Sequence, residues 1–206
     1  MKLNAKLLRR EFFNRDPRIV SRELLGKLIV RKAGRIRIAG RIVEVEAYLG
    51  AGDLAAHSAA GNTARNAVLW GPPGHAYVYF IYGVHYCLNI SCLPDGEAGG
   101  ILIRALEPVS GIRQMAKARE LADLDLTSAR DLRKLASGPG RLAEALGITR
   151  PRDNGKDMVS SASDLQVTDD GFTVQEVAVT PRIGITKSAD MPLRYLIAGN
   201  IFISRK

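Results

Sequence analysis

Two acidic residues and a tyrosine stand two positions apart near the end of an apolar stretch, as Glu44, Glu46 and Tyr48. Because strand side chains alternate, the two acids should lie on one face of a buried strand. A buried carboxylate without partners is expensive, so each acid is a rim residue, an ion-pair partner or a catalytic group. The predicted faces are Ile42, Glu44, Glu46 and Tyr48 on one side and Val43, Val45 and Ala47 on the other.

The pattern alone favours ion pairing with the abundant arginines over chemistry, because ion pairs also perturb acids. The two acids are equivalent at this level.

Flat side chains follow the acidic pair at positions that suit a planar ligand: His57, Tyr79 and Tyr82. Stacking a base on such rings is worth about 1 to 3 kcal/mol, comparable to the few kcal/mol lost when a base leaves a duplex. Tyr82, beside Gly83, could fill the vacated space as a wedge. The structural alternative makes each ring an ordinary core or loop residue, the interpretation we keep for Tyr77, Tyr86, Tyr195, His75 and His85.

The sequence has 206 residues, with 30 Lys and Arg against 21 Asp and Glu, a net charge of +9 and a pI near 9.8. Such a field attracts polyanions, nucleic acid first and an anionic membrane surface second. No apolar run reaches the roughly 20 residues that span a bilayer, and residues 1–6 lack a signal-peptide core, so we expect a cytoplasmic protein. Cys87 and Cys92 should be buried thiols, and the three histidines lack metal-ligand spacing.

Helix-capping residues, prolines and glycines predict the elements that position these residues. Asp16 caps a helix that has Pro17 in its first turn and ends at Gly26. A short helix should precede it, beginning near Leu7, and a helical turn near residues 65–69 should interrupt the loop 50–75. Strands are predicted at 27–32, 36–38, 41–48, 75–81, 84–92, 100–106, 172–180 and 193–203, and helices within 112–146.

These elements predict an α+β fold, with residues 1–206 as one domain. A curved, mainly antiparallel sheet should be flanked by helices and carry a protruding hairpin with Tyr82 at its tip. Residues 149–163 are polar and form either an ordered excursion or a mobile loop. The segment 137–141 is either a plain helix start with proline in its first turn or a phosphate-binding site. In the second case its backbone N–H groups bind the phosphate and Arg141 beside them supplies positive charge.

Several ordered motifs resemble the alkyladenine (3-methyladenine or methylpurine) DNA glycosylase family from about residue 21 to the end. The matching runs are 40–50, Ala55-Ala56-His57-Ser58, 77–83, Asn89-Ile90-Ser91, 102–108 and Ser137-Gly138-Pro139. The family often has proline where this chain has Ala64, before Arg65. The resemblance implies a monofunctional repair enzyme that excises damaged purines from duplex DNA and uses neither a cofactor nor a metal.

By the same resemblance, Glu46 is the general base that activates water, and Arg104 helps to hold that water. Glu46 lies at the end of the strand, where a flipped sugar could meet water, and Glu44 lies deeper. We therefore expect Glu44 to be structural and Glu46 to be free for chemistry. The flipped purine would lie between Tyr79 and the pair Tyr48 and His57. The remaining implied roles are Asn89 against the purine edge, Leu102 in the pocket wall and Tyr82 as the intercalating residue. Charge alone makes five residues candidates for phosphate contacts: Arg65, Lys117, Arg119, Arg141 and Arg182. Of these we assign Arg65 and Arg141 to the DNA backbone.

Chemistry supports part of this assignment independently. Cleavage of an N-glycosidic bond develops an oxocarbenium-like sugar, which a nearby carboxylate stabilises while it activates water. Arg104 could instead neutralise Glu44. A non-catalytic nucleic-acid-binding module is the competing class, and a hydrolase of free nucleosides is a third. We expect a monomer, associated with the nucleoid if the source is bacterial.

Overall fold

The computed structural model describes residues 5–121 and 123–204, so Met1 to Asn4, part of the segment judged to lack a signal peptide, lie outside it. The strands are β1 (Lys6–Leu7), β2 (Leu28–Ala33), β3 (Ile36–Tyr48), β4 (Ala76–Ile81), β5 (His85–Cys92), β6 (Gly99–Ser110), β7 (Leu165–Asp169), β8 (Val177–Thr180) and β9 (Arg194–Ile197). The helices are α1 (Arg10–Phe13), α2 (Pro17–Leu24), α3 (Ile112–Ala118), α4 (Ala129–Ala136), α5 (Pro139–Ala145) and α6 (Arg150–Asp153), with a 3₁₀ turn at Ala67–Trp70.

The strands form one open, antiparallel sheet in the order β1-β7-β2-β3-β6-β5-β4, and β9, with β8 beside it, also pairs with β3. β3 is the longest strand and the centre of the sheet. One of its edges pairs with β2 over residues 36–41 and with β9 over residues 44–46, while the other edge pairs with β6. The fold is α+β, as predicted, and β3 holds the acidic pair at its C-terminal half.

Helices cover one face of this sheet with a continuous apolar core. Val20 and Leu24 of α2 and Leu142 of α5 pack with strand residues such as Leu88 and Ile103, and all five are completely buried. The start of α2 follows from its sequence: the Asp16 carboxylate accepts the Arg18 N–H at 2.8 Å, and Pro17 needs no donor there. The core thus fixes the sheet that carries the site.

A bulge in β3 corrects the predicted faces. The pairing with β6 shifts register between Ile42 and Glu44, so strict alternation breaks at Val43. Ile42 therefore packs into the main core with Val45 and Ala47, and Val43 joins a separate cluster with Ala105 and Phe202. Glu44 and Glu46 still share a face. The prediction that Ile42 lies with the acids and Val43 opposite them is wrong.

Several boundaries also differ from the predictions. Residues 36–48 form one strand rather than two, the opening segment has a strand at Lys6–Leu7 before its helix, and the last two strands are shorter than predicted. β7 was not predicted. It lies between β1 and β2, and its polar residues are satisfied by tertiary partners: Gln166 donates to the Ser160 carbonyl at 2.7 Å. This pairing on both edges is a tertiary effect, which the short sequence of β7 does not reveal.

Candidate active site

A cavity of about 750 Å³ opens beside the end of β3. β4, β5, β6 and three loops enclose it. The structure brings nearly the whole predicted set to its wall: Glu46, Tyr48, His57, Tyr79, Tyr82, Asn89, Leu102, Arg104 and Arg141. Arg65 is exposed and lies outside the lining, although its charge acts on His57 and Tyr77.

Sheet register explains why residues distant in sequence meet here. Glu46 of β3, Leu102 of β6, Asn89 of β5 and Tyr77 of β4 are successive Cα partners in one row across four strands. Partners in adjacent strands project from the same face. All four therefore line the cavity, and Tyr77, which we predicted to be an ordinary core residue, belongs to the site.

Glu44 is held by a complete set of partners beneath the cavity. Its carboxylate accepts from Arg104 Nε at 3.0 Å, from Arg194 Nε at 2.8 Å and from the Ser204 N–H at 2.5 Å. Burial opposes ionisation, but the Ser204 hydrogen bond and the two arginines bring the pKa of Glu44 below its ordinary value. Glu44 is thus a structural ion-pair residue, as expected from its depth.

Glu46 has different surroundings. Its side chain is buried, yet it lines the cavity. Oε1 accepts the Ile183 N–H at 2.7 Å and lies 3.1 Å from Arg104 Nη1, while Oε2 accepts the Tyr48 hydroxyl at 3.0 Å. Burial, followed by the charge of Glu46, raises the pKa of Tyr48, which therefore stays a hydrogen-bond donor. Three donors hold this carboxylate at the cavity wall.

Three rings form one wall of the cavity. His57 Nδ1 lies 2.9 Å from the hydroxyl of Tyr77, and the His57 ring meets Tyr79 edge-on, with centroids 4.5 Å apart and planes at 69°. Desolvation and the charge of Arg65 lower the pKa of His57, which favours the neutral imidazole. Because the two rings touch, a purine cannot lie between His57 and Tyr79 unless one of them moves.

The tip of the β4–β5 hairpin is strained and exposed. Tyr82 has φ of 55° and Gly83 has φ of 70°, and Val84 N–H donates back to the Ile81 carbonyl at 3.3 Å. A non-glycine residue in this region costs about 1 to 2 kcal/mol. Tyr82 is nevertheless 82% exposed, with exposed Phe80 and Val84 beside it. Strained backbone positions cluster at functional sites, so the strain makes Tyr82 a candidate functional residue.

The segment 137–141 lines the opposite wall, and α5 begins within it. A Cβ on Gly140 would come within 2.9 Å of the His85 ring, so a larger residue here would displace that ring. His85 Nδ1 lies 2.8 Å from Glu144, which also binds Arg119. His85, predicted to be ordinary, lines the cavity. Arg119 lines it as well: its Nη1 pairs with Glu144, while its Nε has no hydrogen-bond partner among the described residues.

Arg182, another candidate phosphate contact, is completely buried in an ion pair with Asp53. A guanidinium without accessible surface cannot meet DNA, so that prediction is wrong. Asp53 was missed altogether. It follows Gly50 and Gly52 in a loop, and the sequence gives no sign that its partner lies 129 residues away.

Cys87 and Cys92 are free and buried, as predicted. Among residues 5–121 and 123–204, no cluster of three or more His, Cys, Asp or Glu side chains could hold a metal ion. Within the same residues, the helices are all too short or too polar to cross a membrane.

The chain is similar in sequence to known proteins over most of its length. The sequence profile of the methylpurine-DNA glycosylase (MPG) family matches residues 11–201. A protein of Koribacter versatilis named "Putative 3-methyladenine DNA glycosylase" is 69% identical over 199 residues, which cover 97% of this chain and 93% of that protein. Proteins with the same name from Burkholderia cenocepacia and Methanoculleus marisnigri are 47% and 44% identical, over 95% of this chain and 89% and 97% of their own lengths. The chain therefore belongs to the methylpurine-DNA glycosylase family, DNA repair enzymes that hydrolyse the N-glycosidic bonds of alkylated bases.

Proposed function

We propose that this glycosylase flips a damaged purine, alkylated or deaminated, out of duplex DNA and cleaves its N-glycosidic bond with a water activated by Glu46. The product is an abasic site. The observation that carries the proposal is the position of Glu46, a buried carboxylate held by neighbouring donors at the wall of a cavity.

The hydrogen bonds that Glu46 accepts leave one of its lone pairs available for that water. An ionised carboxylate offers about four lone-pair sites. Within the described residues, Oε2 of Glu46 accepts only the Tyr48 hydroxyl, while Oε1 accepts the Ile183 N–H and faces Arg104. A water on the second lone pair of Oε2 would lie at the cavity wall, where a flipped sugar can meet it. General-base assistance of this type gives about 10² to 10⁴-fold in rate.

Tyr48 and Tyr79 offer the stacking surfaces. Both line the cavity, and among the described residues they make no ring contact with each other, in contrast to His57 and Tyr79. We infer that the purine enters between the two tyrosines and that His57 turns away from Tyr79 to complete the stack. Loop residues can make such a movement at low cost.

Asn89 and Leu102 bound the edge of the purine in this arrangement. The Asn89 amide donates to the Tyr77 carbonyl at 3.2 Å, which fixes its orientation at the cavity floor. A fixed amide can reject an exocyclic group that projects toward it. Tyr82, exposed at the hairpin tip, would occupy the space in the duplex that the base leaves.

The +9 charge supports binding to the DNA backbone, with Arg141 on the cavity rim and Arg65 beside the His57 loop as contacts. No lysine lines the cavity in the described part of the chain, in agreement with water rather than an amine as nucleophile. We propose that residues 1–206 act as one domain and as a monomer, without a cofactor, in the cytoplasm or nucleoid.

The test is a panel of duplexes, each with one damaged base, assayed for free-base release. Release of an alkylated purine without strand cleavage supports the proposal, and deaminated lesions in the same panel define its range. Binding without any release would favour the non-catalytic module. Turnover of free nucleosides with little dependence on salt would favour the nucleoside hydrolase, because a DNA-bound enzyme loses affinity steeply as salt rises.

A further inference from the structure

The ion pair between Asp53 and Arg182 lies directly behind the cavity. Both side chains are completely buried. The guanidinium forms a fork on the carboxylate, with Nη1 to Oδ2 at 2.6 Å and Nη2 to Oδ1 at 2.8 Å. Removing two charges from water costs about as much as their attraction returns, so stability alone does not account for the pair.

Arg182 connects this pair to the catalytic groups. It also donates to the Ala47 carbonyl at 3.0 Å and lies over the Tyr48 ring, 4.6 Å from its centroid. Tyr48 lines the cavity and Arg182 does not, so the guanidinium supports the ring from behind. The next residue, Ile183, gives its N–H to Glu46. The Arg182 guanidinium therefore fixes the ring of Tyr48. Through the adjoining peptide it also fixes the Ile183 N–H, which donates to Glu46, the proposed base.

Asp53 connects the pair to the loop that carries His57. Its two oxygens accept the N–H of Leu49 at 3.2 Å and the N–H of Ala55 at 3.1 Å. Leu49 directly follows Tyr48, and Ala55 lies in the turn that leads to His57. The end of β3, the His57 loop and the segment at residue 183 all meet at this carboxylate and its partner.

We propose that Asp53 and Arg182 are a positioning pair that sets the place of the Glu46 carboxylate relative to the base-stacking rings. The proposal rests on the proposed function of Glu46. A misplacement of about 1 Å in such a site can cost about 100-fold in rate. Lysine cannot replace Arg182 in this role, because a single ammonium cannot hold the forked carboxylate, a carbonyl and the face of a ring in one geometry.

The test compares Arg182→Lys and Asp53→Asn with Arg31→Lys. Arg31 is a matched control: its side chain is 1% exposed, and it pairs with the completely buried Asp153 at 2.8 Å, outside the cavity lining. Single-turnover release of an alkylated purine is measured at saturating enzyme from pH 5 to 9, with circular dichroism and the unfolding midpoint recorded for each variant.

We expect both Arg182→Lys and Asp53→Asn to lower the saturated rate at least tenfold and to alter the pH–rate profile, because the groups around the reacting water are displaced. Arg31→Lys should lose stability to a similar degree and keep the wild-type rate and profile. Rates within twofold of wild type in the folded Arg182 and Asp53 variants would overturn the inference, as would an equal loss in Arg31→Lys.

The outcome is separable from the proposed function. If Glu46→Gln abolishes release but Arg182→Lys and Asp53→Asn leave rate and profile unchanged, the positioning inference alone is wrong. If Glu46→Gln retains full activity, the proposed role of Glu46 is wrong and the pair has no base to position.

Discussion

Nη1 of the Arg104 guanidinium lies 3.1 Å from Oε1 of Glu46. Its Nε also donates to Glu44 at 3.0 Å. The sequence offered two alternatives for Arg104, neutralisation of Glu44 or support of Glu46, and the geometry satisfies both. One arginine thus joins a fully engaged structural acid to the acid at the cavity wall, so the two glutamates should respond differently to substitution.

Glu44→Gln should cost stability. The amide removes the buried carboxylate that Arg104 and Arg194 share, although Arg104 keeps its pairing with Glu46. Breaking a buried pair in this way costs about 3 to 5 kcal/mol. Urea unfolding measures the loss in the free energy of unfolding. A change under about 1 kcal/mol would show that the network around Glu44 does not act as described.

Stability should fall in acid, and Glu44 should account for part of the fall. Its pKa lies below its ordinary value of 4.5 in the folded state, as does that of Asp53 below 3.8. Such groups stabilise the fold fully above their unfolded pKa, and the contribution is lost as pH falls through the folded pKa. Unfolding free energies measured from about pH 6 down to pH 3 should decline below about pH 4.5. Glu44→Gln should decline less over that range, and parallel curves would contradict the assignment.

Tyr82→Gly should weaken DNA binding without lowering stability. Glycine accepts a φ of 55° without strain, so the free energy of unfolding should stay level or rise by about 1 kcal/mol. Affinity for lesion-bearing duplex should drop, because the intercalating ring is gone. Thermal unfolding and a binding titration measure the two effects. Undiminished lesion binding would count against intercalation by Tyr82.

Arg141→Gln should reduce the salt dependence of DNA binding. Each lost phosphate contact lowers the slope of log K against log salt by about 0.9 and weakens binding to damaged and undamaged duplex alike. Arg35→Gln is the matched control, because Arg35 is exposed at the turn before β3, at the opposite end of that strand from Tyr48. An equal change of slope in both variants would show that only net charge matters.

The sequence predicted the C-terminal half of the central strand, the β4–β5 hairpin and nine of the side chains at the cavity wall. Alternation and turn residues are local properties that placed the strands, and the family resemblance gave the side chains their roles. It misplaced Ile42 and Val43, since a bulge depends on the partner strand. It missed β7, whose polar residues are stabilised only by two neighbours. Tyr77 and Arg182 received the wrong roles because a side chain's partner across the fold leaves no mark in its own segment.

The most direct test of the central claim is single-turnover release of free base by Glu46→Gln, with Glu44→Gln measured alongside it. Glutamine keeps the shape of Glu46 and its bond to the Ile183 N–H but cannot take a proton from water. We expect Glu46→Gln to bind duplex with one alkylated purine at near wild-type affinity and to release base at least 100-fold more slowly, within the range for loss of a general base. Release by Glu46→Gln at the wild-type rate would contradict the account.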